Sequence, residues 1–464
     1  MTILSVADAT FGYSVPTLVA GGGACGLVAA LAAHDAGQEV VVIERNPLPR
    51  GSTSMSLGAL CAAGSTDQVK HGVDDNADIF LADVMAKTKG TADPVVARAV
   101  GAGSGPMIDW LRERHDVPIA LDTNWPPAFG HSRMRMHVTP GRSGADLIDR
   151  LLAACDRAEI PIVTDARLTG LFGDDRTVAG VRYERPDGLV EDIGCGRLIL
   201  ATSGFGGNHA MIERFIPDMA EARYFGWEGN QGDGIRLGAE LGGALADMDA
   251  YQGFGLLADP AGIDLNPRFL IEGGVQVNWD GLRFSNELDD VSGQGARVMA
   301  QPGSCSWVIY DQRIHDSCFD LPQYVQLREV GGVIQAESLA ALAERATIDP
   351  DGLAATLASI HTGKTDLWGR SFTGPALAPP FYAARVAGAI FHTQGGLAID
   401  WAARVVDSHG QPLPNLFAGG GASRGISGRG ASGYLPGAGL AAAMTLGYIA
   451  GKFAQERPSL PALR

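Results

Sequence analysis

The sequence predicts an α/β protein: a Rossmann-like nucleotide-binding domain with an α+β segment inserted into it. Three observations carry this reading. Gly21-Gly22-Gly23-Ala24-Cys25-Gly26 stands between an apolar run, Leu18-Val19-Ala20, and an alanine- and leucine-rich run that ends at Gly37. A second apolar run, Val40-Val41-Val42-Ile43, closes on the acid Glu44, 18 residues after the last of those glycines. From about Asp249 to Arg385 the texture changes to a β-like stretch at 274–284 followed by Ala-, Leu- and Glu-rich helical material around Glu337 to Arg345.

Each element has a mechanical reason. Gly21 allows a tight turn after the strand, Gly23 lets the backbone approach a pyrophosphate, and Gly26 lets the helix Leu27 to Ala36 pack closely on the sheet. The amino-terminal amides of that helix face the phosphates, and Ala24 and Cys25, before it, are expected at the cofactor. Gly37 caps its other end, and Glu44 accepts hydrogen bonds from a ribose hydroxyl, with Arg45 beside it. The loop Gly51 to Gly58 carries Ser52, Ser54 and Ser56 and reads either as a wrap around the cofactor or as a solvated loop. Helices are expected at Met107 to Arg114 and Ala145 to Arg157. Short strands follow at Ile162 to Thr164, Leu168 to Phe172, Val178 to Tyr183 and Leu189 to Ile193, with Ala166 at the cofactor edge.

Arg197 to Ala201 reads as a buried parallel strand running into Thr202-Ser203-Gly204-Phe205-Gly206-Gly207-Asn208, a small-residue turn that implies close backbone approach. Asp233 opens the next helix, either as its cap or as a ligand to a cofactor side chain, with the cap the plainer reading. From 419 to 439 there are nine glycines in 21 positions, among them Gly420, Gly421 and Gly439, and a final helix from Leu440 to Ala450 begins at their end. Glycine is costly to order, so this density marks a backbone threaded against something.

The chain is 464 residues long, which exceeds one ordinary core, and its net charge of −16 argues against nucleic acid or an anionic membrane surface as partner. Six scattered cysteines without C-x-x-C spacing argue against iron–sulfur, zinc or c-type haem ligation, and no metal is expected. The amino terminus shows no signal-peptide pattern and the apolar 440–450 run is too short to span a bilayer, so a cytoplasmic location is expected.

Together these blocks, with Gly274-Val275-Gln276-Val277-Asn278, Arg283-Phe284-Ser285-Asn286-Glu287, His392-Thr393-Gln394-Gly395-Gly396-Leu397 and Asn415-Leu416-Phe417-Ala418-Gly419-Gly420, resemble the fumarate reductase, succinate dehydrogenase and 3-ketosteroid dehydrogenase flavoproteins over nearly the whole chain. The resemblance implies FAD, held in a discontinuous domain of residues 1–248 and 386–464, with a capping domain at 249–385 over the substrate. Covalently flavinylated members carry a histidine in the loop after the first acid. The loop here has none, so non-covalent FAD is expected.

Departures from the pattern narrow the substrate. Val291 stands where fumarate reductases place an arginine proton donor, and Tyr434-Leu435-Pro436-Gly437-Ala438 stands where a second arginine clamps a carboxylate. Without those bidentate clamps a dicarboxylate substrate is disfavoured. His392 and Glu272 match active-site positions of the reductases, Tyr251 lies where another family motif is replaced, and Tyr434 resembles the carboxy-terminal tyrosine of the ketosteroid dehydrogenases. The expected activity is FAD-dependent dehydrogenation, or reduction, of a C–C bond next to the carbonyl of a weakly charged small molecule. The alternative is an ene-reductase of an unsaturated carboxylate, with Arg283, Arg424 or Arg429 replacing the clamps. Tyr434 and His392 share the roles of carbonyl donor and base in an order the sequence leaves open, and the electron acceptor is oxygen, a quinone or a redox protein.

Overall fold

The computed structural model describes residues 2–174 and 176–453, so the end of the expected 386–464 segment lies outside the described residues. The fold divides into two units. One takes the chain up to Met211, then Gly226–Tyr251, then the chain from His392 onward; the other takes Ile212–Phe225 and Gln252–Phe391. The sequence placed one insertion at 249–385. The second unit also draws in Ile212–Phe225, because Arg223 and Tyr224 pair with Ala389 and Ile390 in its sheet, a distant pairing that leaves no local signal.

The first unit is built on a sheet of β1 (Ser14–Ala20), β2 (Val40–Ile43), β3 (Ile162–Val163), β4 (Arg167–Asp174), β5 (Thr177–Glu184), β6 (Val190–Leu200) and β7 (Pro412–Ala418). β3, β2, β1 and β6 lie side by side in parallel, as buried Val- and Leu-rich strands do when both faces are covered. The first half of β6 pairs antiparallel with β5, and its last three residues pair in parallel with β7. Two separate strands were expected here, Leu189 to Ile193 and Arg197 to Ala201. They are one strand, because Gly194 and Cys195 keep their register against Ser14 and Val15 and bridge the apparent break.

Helix α1 (Ala24–Asp35) starts three residues earlier than expected, directly after its cap Gly23, and Gly37 follows its end with φ +77°. Its residues from Ala24 to Ala33 are all buried. Further along come the short helix α2 (Gly51–Met55), α3 (Asp233–Glu240) and α4 (Ala438–Lys452). α4 lies parallel to α1 at backbone contact: a Cβ on Gly447 would stand 2.3 Å from the Cys25 carbonyl oxygen, and one on Gly451 2.3 Å from that of Ala29. Glycine at both positions is what lets the helices meet. Since the cap Gly437 lies ten residues ahead of Gly447, whereas the α1 cap Gly23 lies only two ahead of Cys25, the amino end of α4 projects about 12 Å beyond that of α1 at 1.5 Å per residue.

In the second unit Cys305–Asp311 pairs antiparallel with 381–387 and, on its other side, with Val275–Val277. The β-like stretch expected at 274–284 shrinks to those three residues, because the chain turns at Asn278, whose Oδ1 accepts from the Asp280 and Leu282 amides. The helix expected from Glu337 to Arg345 spans Leu339–Ala346. Glu287 is buried between Arg283 and Arg370, with the Gln276 N–H as a third donor. Among the described residues no helix is long and apolar enough to cross a membrane.

Gly447→Ala should lower thermal stability by about 1–3 kcal/mol, the usual cost of overpacking, measured by the shift of the unfolding midpoint. An unchanged midpoint would mean that the two helices have room to separate.

Candidate functional site

The glycine-rich turn after β1 separates what the chain itself needs from what a ligand needs. Gly21 has φ +113°, and a Cβ there would stand 2.2 Å from the Ala201 carbonyl oxygen; a Cβ on Gly26 would stand 1.9 Å from the Gly21 oxygen. The fold therefore requires both. Gly23 differs. Its φ of −77° suits any residue, and a Cβ there would meet only Thr53 Oγ1, at an ordinary 3.5 Å. Nothing in the protein demands glycine at 23, which is what a bound pyrophosphate approaching the amide end of α1 would demand.

Glu44 is buried, with Oε2 accepting from the Gly22 N–H at 2.7 Å and Oε1 from the Asn46 N–H and Nδ2 at 2.9 and 2.7 Å. A carboxylate offers about four lone-pair positions, so room remains for a ribose hydroxyl. The Ala166 N–H donates to the Glu44 carbonyl. Cys25 packs as an inert thiol, pushed up to about 12 by burial.

The three serines belong to the segment Gly51 to Gly58. It is not an open loop but the helix α2 with its hydroxyls turned inward: Ser54 donates to the Gly51 carbonyl, Ser56 to that of Thr53, and Ser52 accepts from Asn230 Nδ2 at 2.8 Å. Gly58 has φ +66°, and a Cβ there would stand 2.5 Å from the Ser143 backbone. The side chain that does reach the glycine turn is Thr53, which accepts from the Ala24 N–H at 3.0 Å. Sequence reading missed it, because only the helical phase of α2 separates Thr53 from the three serines around it.

Asp233 is likewise not the cap of α3. Gly232 holds that position with φ +74°, and Asp233, the first helical residue, pairs with Arg236 at 2.7 Å, with Arg45 and Arg167 at 3.7 and 3.8 Å. Arg45 also donates to the Gly229 carbonyl. At the end of β6, Thr202 Oγ1 accepts from the Gly234 N–H, and Ser203 has φ +65°, a strained value that clusters at functional sites. Gly204 packs on Thr393, whose Oγ1 accepts from the Phe205 N–H at 3.0 Å, and Gly421 packs in turn on Gly204. Thr393 was also missed. Asn208 braces the turn with bonds to Met211 and Gln231, and Gly420 takes φ +61°.

Of the four expected catalytic side chains, His392 and Tyr434 come together, with ring centroids 5.8 Å apart at an interplanar angle of 75°. Both stand at the amino end of α4: a Cβ on Gly439 would lie 3.1 Å from His392 Cε1, and Leu440 is in the same first turn. Burial holds the imidazole down at about 4, against a weaker opposing bond to the Thr393 backbone. The Tyr434 phenol is pushed up by burial and by the Cys61 thiol. Both groups are therefore uncharged near neutral pH. Tyr251 is buried in the same unit, its N–H on the Gly430 carbonyl. Glu272, in the other unit, has its oxygens engaged by Arg268 and by the Ser317 hydroxyl at 2.5 and 2.6 Å.

A family model described as an FAD binding domain matches residues 17–445. The chain belongs to this FAD-binding family. It is 28% identical to a probable fumarate reductase of Shewanella frigidimarina over 420 residues, 89% of this chain and 70% of that one. The structure of an open flavocytochrome c3 fumarate reductase superposes with a TM-score of 0.82 at 28% identity, covering 96% of this chain and 78% of that one. A 3-ketosteroid Δ1-dehydrogenase from Sterolibacterium denitrificans shares the fold, with a TM-score of 0.81 at 20% identity, 95% of this chain and 99% of that one.

The residues present fit FAD: the Gly23 amide turn with Thr53 suits its pyrophosphate, Glu44 a ribose hydroxyl, and the small-residue backbone at 202–204 and 420–421 the close approach of a long ligand. Gly23→Ala should leave the apoprotein's unfolding midpoint within about 1 °C yet weaken FAD at least tenfold in flavin titration, whereas Gly26→Ala should impair folding itself. Equal FAD affinity in Gly23→Ala would remove the pyrophosphate from this turn. A second outcome concerns charge. In 15N NMR of histidine-labelled protein, His392 should stay neutral down to about pH 5 and protonate near 4; titration between 6 and 7 would contradict its buried, uncharged state.

Proposed function

We propose that this FAD-binding chain is an oxidoreductase that introduces, or in reverse reduces, a C–C double bond next to the carbonyl of a weakly charged substrate, in the manner of 3-ketosteroid dehydrogenases. The observation that carries this is the uncharged His392–Tyr434 pair at the amino end of α4. The cations that a carboxylate substrate would need are otherwise engaged. Arg283 pairs with Glu287 and Asp366, Arg424 with Asp247 and Asp93, and Arg429 with Asp249. Val291, at the position of the reductases' proton donor, packs on an apolar cluster of the second unit.

Bound FAD, held without a covalent bond, supplies the hydride acceptor or donor. Tyr434 keeps its proton and donates a hydrogen bond to the substrate carbonyl oxygen, where enolate charge develops; such electrostatic stabilisation is usually the largest catalytic contribution. His392 offers a neutral lone pair to the proton on the α-carbon. This assigns donor to Tyr434 and base to His392. Tyr251 contributes a wall, and Glu272 serves its own unit through Arg268 and Ser317. The electron acceptor is an unidentified small molecule or redox protein, and a cytoplasmic location rests on six free, buried thiols.

A second reading, reduction of an unsaturated carboxylate, is favoured by the fumarate reductase relative. It requires one of the three arginines to leave its carboxylate partner.

Anaerobic absorbance separates the two. Oxidised holoenzyme mixed with 5α-androstane-3,17-dione or a simpler saturated cyclic ketone should lose its flavin band, and Tyr434→Phe should slow this by about 10²-fold or more, as removal of a single oxyanion donor does. Silence with every ketone, together with reoxidation of dithionite-reduced enzyme by fumarate or urocanate, would replace the first reading by the second.

A further inference from the structure

The turn that carries Tyr434 is held from outside by a histidine with no part in the chemistry so far. His131 is buried, and its Nε2 lies 2.9 Å from the Pro436 carbonyl oxygen. The segment before it is pressed on the same turn: Gly130 has φ +106°, and a Cβ there would stand 2.7 Å from Leu435 Cδ2. Within the turn the Tyr434 N–H reaches the Ala431 carbonyl only at 3.4 Å. Proline has no N–H of its own, so the Pro436 carbonyl is its one backbone polar group, and it sits between Tyr434 and Gly437, the cap of α4.

Two neighbours dictate how His131 is protonated. Its Nδ1 faces Arg135 Nη1 at 3.4 Å, and a guanidinium only donates, so Nδ1 is an acceptor. A proline carbonyl only accepts, so Nε2 carries the proton. Both neighbours select the same tautomer. Arg135 is itself immobile, with a fully buried side chain, a two-pronged pair with Asp75 at 2.7 and 2.8 Å, and Asp83 at 2.5 Å. Asp83 is tied in turn by the Ser132 N–H and hydroxyl at 2.8 and 2.9 Å. The chain of fixed groups thus runs from the Asp75 and Asp83 carboxylates through Arg135 and His131 to the backbone beside Tyr434.

We infer that His131 is a positioning residue for Tyr434: Arg135 locks its imidazole as the neutral Nε2–H tautomer, and that N–H holds the Pro436 carbonyl so that the Tyr434 hydroxyl meets the substrate carbonyl. This rests on the role given to Tyr434 above and adds a residue that acts through it. Leucine at 131 removes the donor at similar bulk. Glutamine restores an N–H near the place of Nε2.

The test has a substrate-free arm and a kinetic arm. In 15N-histidine NMR of the holoenzyme, His131 should show an unprotonated Nδ1 and a protonated Nε2 from pH 6 to 8; the opposite tautomer, or titration within that range, overturns the inference. For flavin bleaching by the reactive saturated ketone of the panel, or flavin reoxidation by fumarate or urocanate if those react instead, His131→Leu should lower kcat ten- to a hundredfold. KM should stay within threefold and FAD occupancy should remain full, and His131→Gln should recover to within about fivefold of wild type. The double variant His131→Leu/Tyr434→Phe should be no slower than Tyr434→Phe alone, the signature of one residue working through another. Multiplying losses in the double variant, or loss of FAD in step with kcat, would overturn the positioning role while leaving Tyr434 in place. Wild-type turnover by Tyr434→Phe would instead overturn the role of Tyr434, and this inference with it.

Discussion

The backbone contact between α1 and α4 is the constraint from which the arrangement of the first unit follows. Two parallel helices meet where Gly447 and Gly451 remove the Cβ atoms that would hold them apart, and the register of that contact leaves the amino end of α4 about 12 Å ahead of that of α1. Each helix begins with unsatisfied amides and the positive end of its dipole. One such end lies at the Gly23 turn and the other beside His392 and Tyr434, so a single packing contact sets the spacing between the places that we propose hold the pyrophosphate and the substrate carbonyl. FAD carries its diphosphate between an adenosine and a riboflavin half, so it can offer that anion to one helix end while its flavin half extends toward the other.

Charge is distributed in this chain with a clear division. The buried ions are paired and multiply hydrogen-bonded: Arg135 with Asp75 and Asp83, and Glu287 with Arg283 and Arg370. Breaking such a pair by removing one partner costs about 3–5 kcal/mol, so these clusters act as rigid anchors and not as groups free to meet a substrate. By contrast, the two side chains at the amino end of α4 are uncharged. A site with a neutral donor and a neutral acceptor has no direct means to hold a dicarboxylate, and it suits a substrate whose only developing charge is on a carbonyl oxygen. The fumarate reductase likeness and the ketone-directed reading we propose are thus compatible: the frame is shared, and Val291 and Tyr434 stand where the resemblance implies arginines.

What the sequence by itself determined is everything that depends on neighbours close along the chain. The β1 turn, α1 and Glu44 were legible because a tight turn, a close phosphate approach and a close helix each require glycine at a set spacing, and the run of buried valines can only be a covered strand. The family frame was legible through its ordered motifs, and it pointed to His392 and Tyr434, which the fold brings together and whose roles we propose. What the tertiary structure decided is which hydroxyl faces which helix and which charge meets which partner. Thr53 rather than a serine reaches the Ala24 amide because α2 is helical, and Asp233 pairs with Arg45, Arg167 and Arg236 because α3 is capped by Gly232. Arg223 and Tyr224 join the second unit through a strand more than 160 residues away, and His131 meets Pro436 across 305 residues of chain. No local pattern encodes such contacts: their energy is won only after distant segments have been brought together, so the sequence names the chemical groups and the fold alone decides which of them touch.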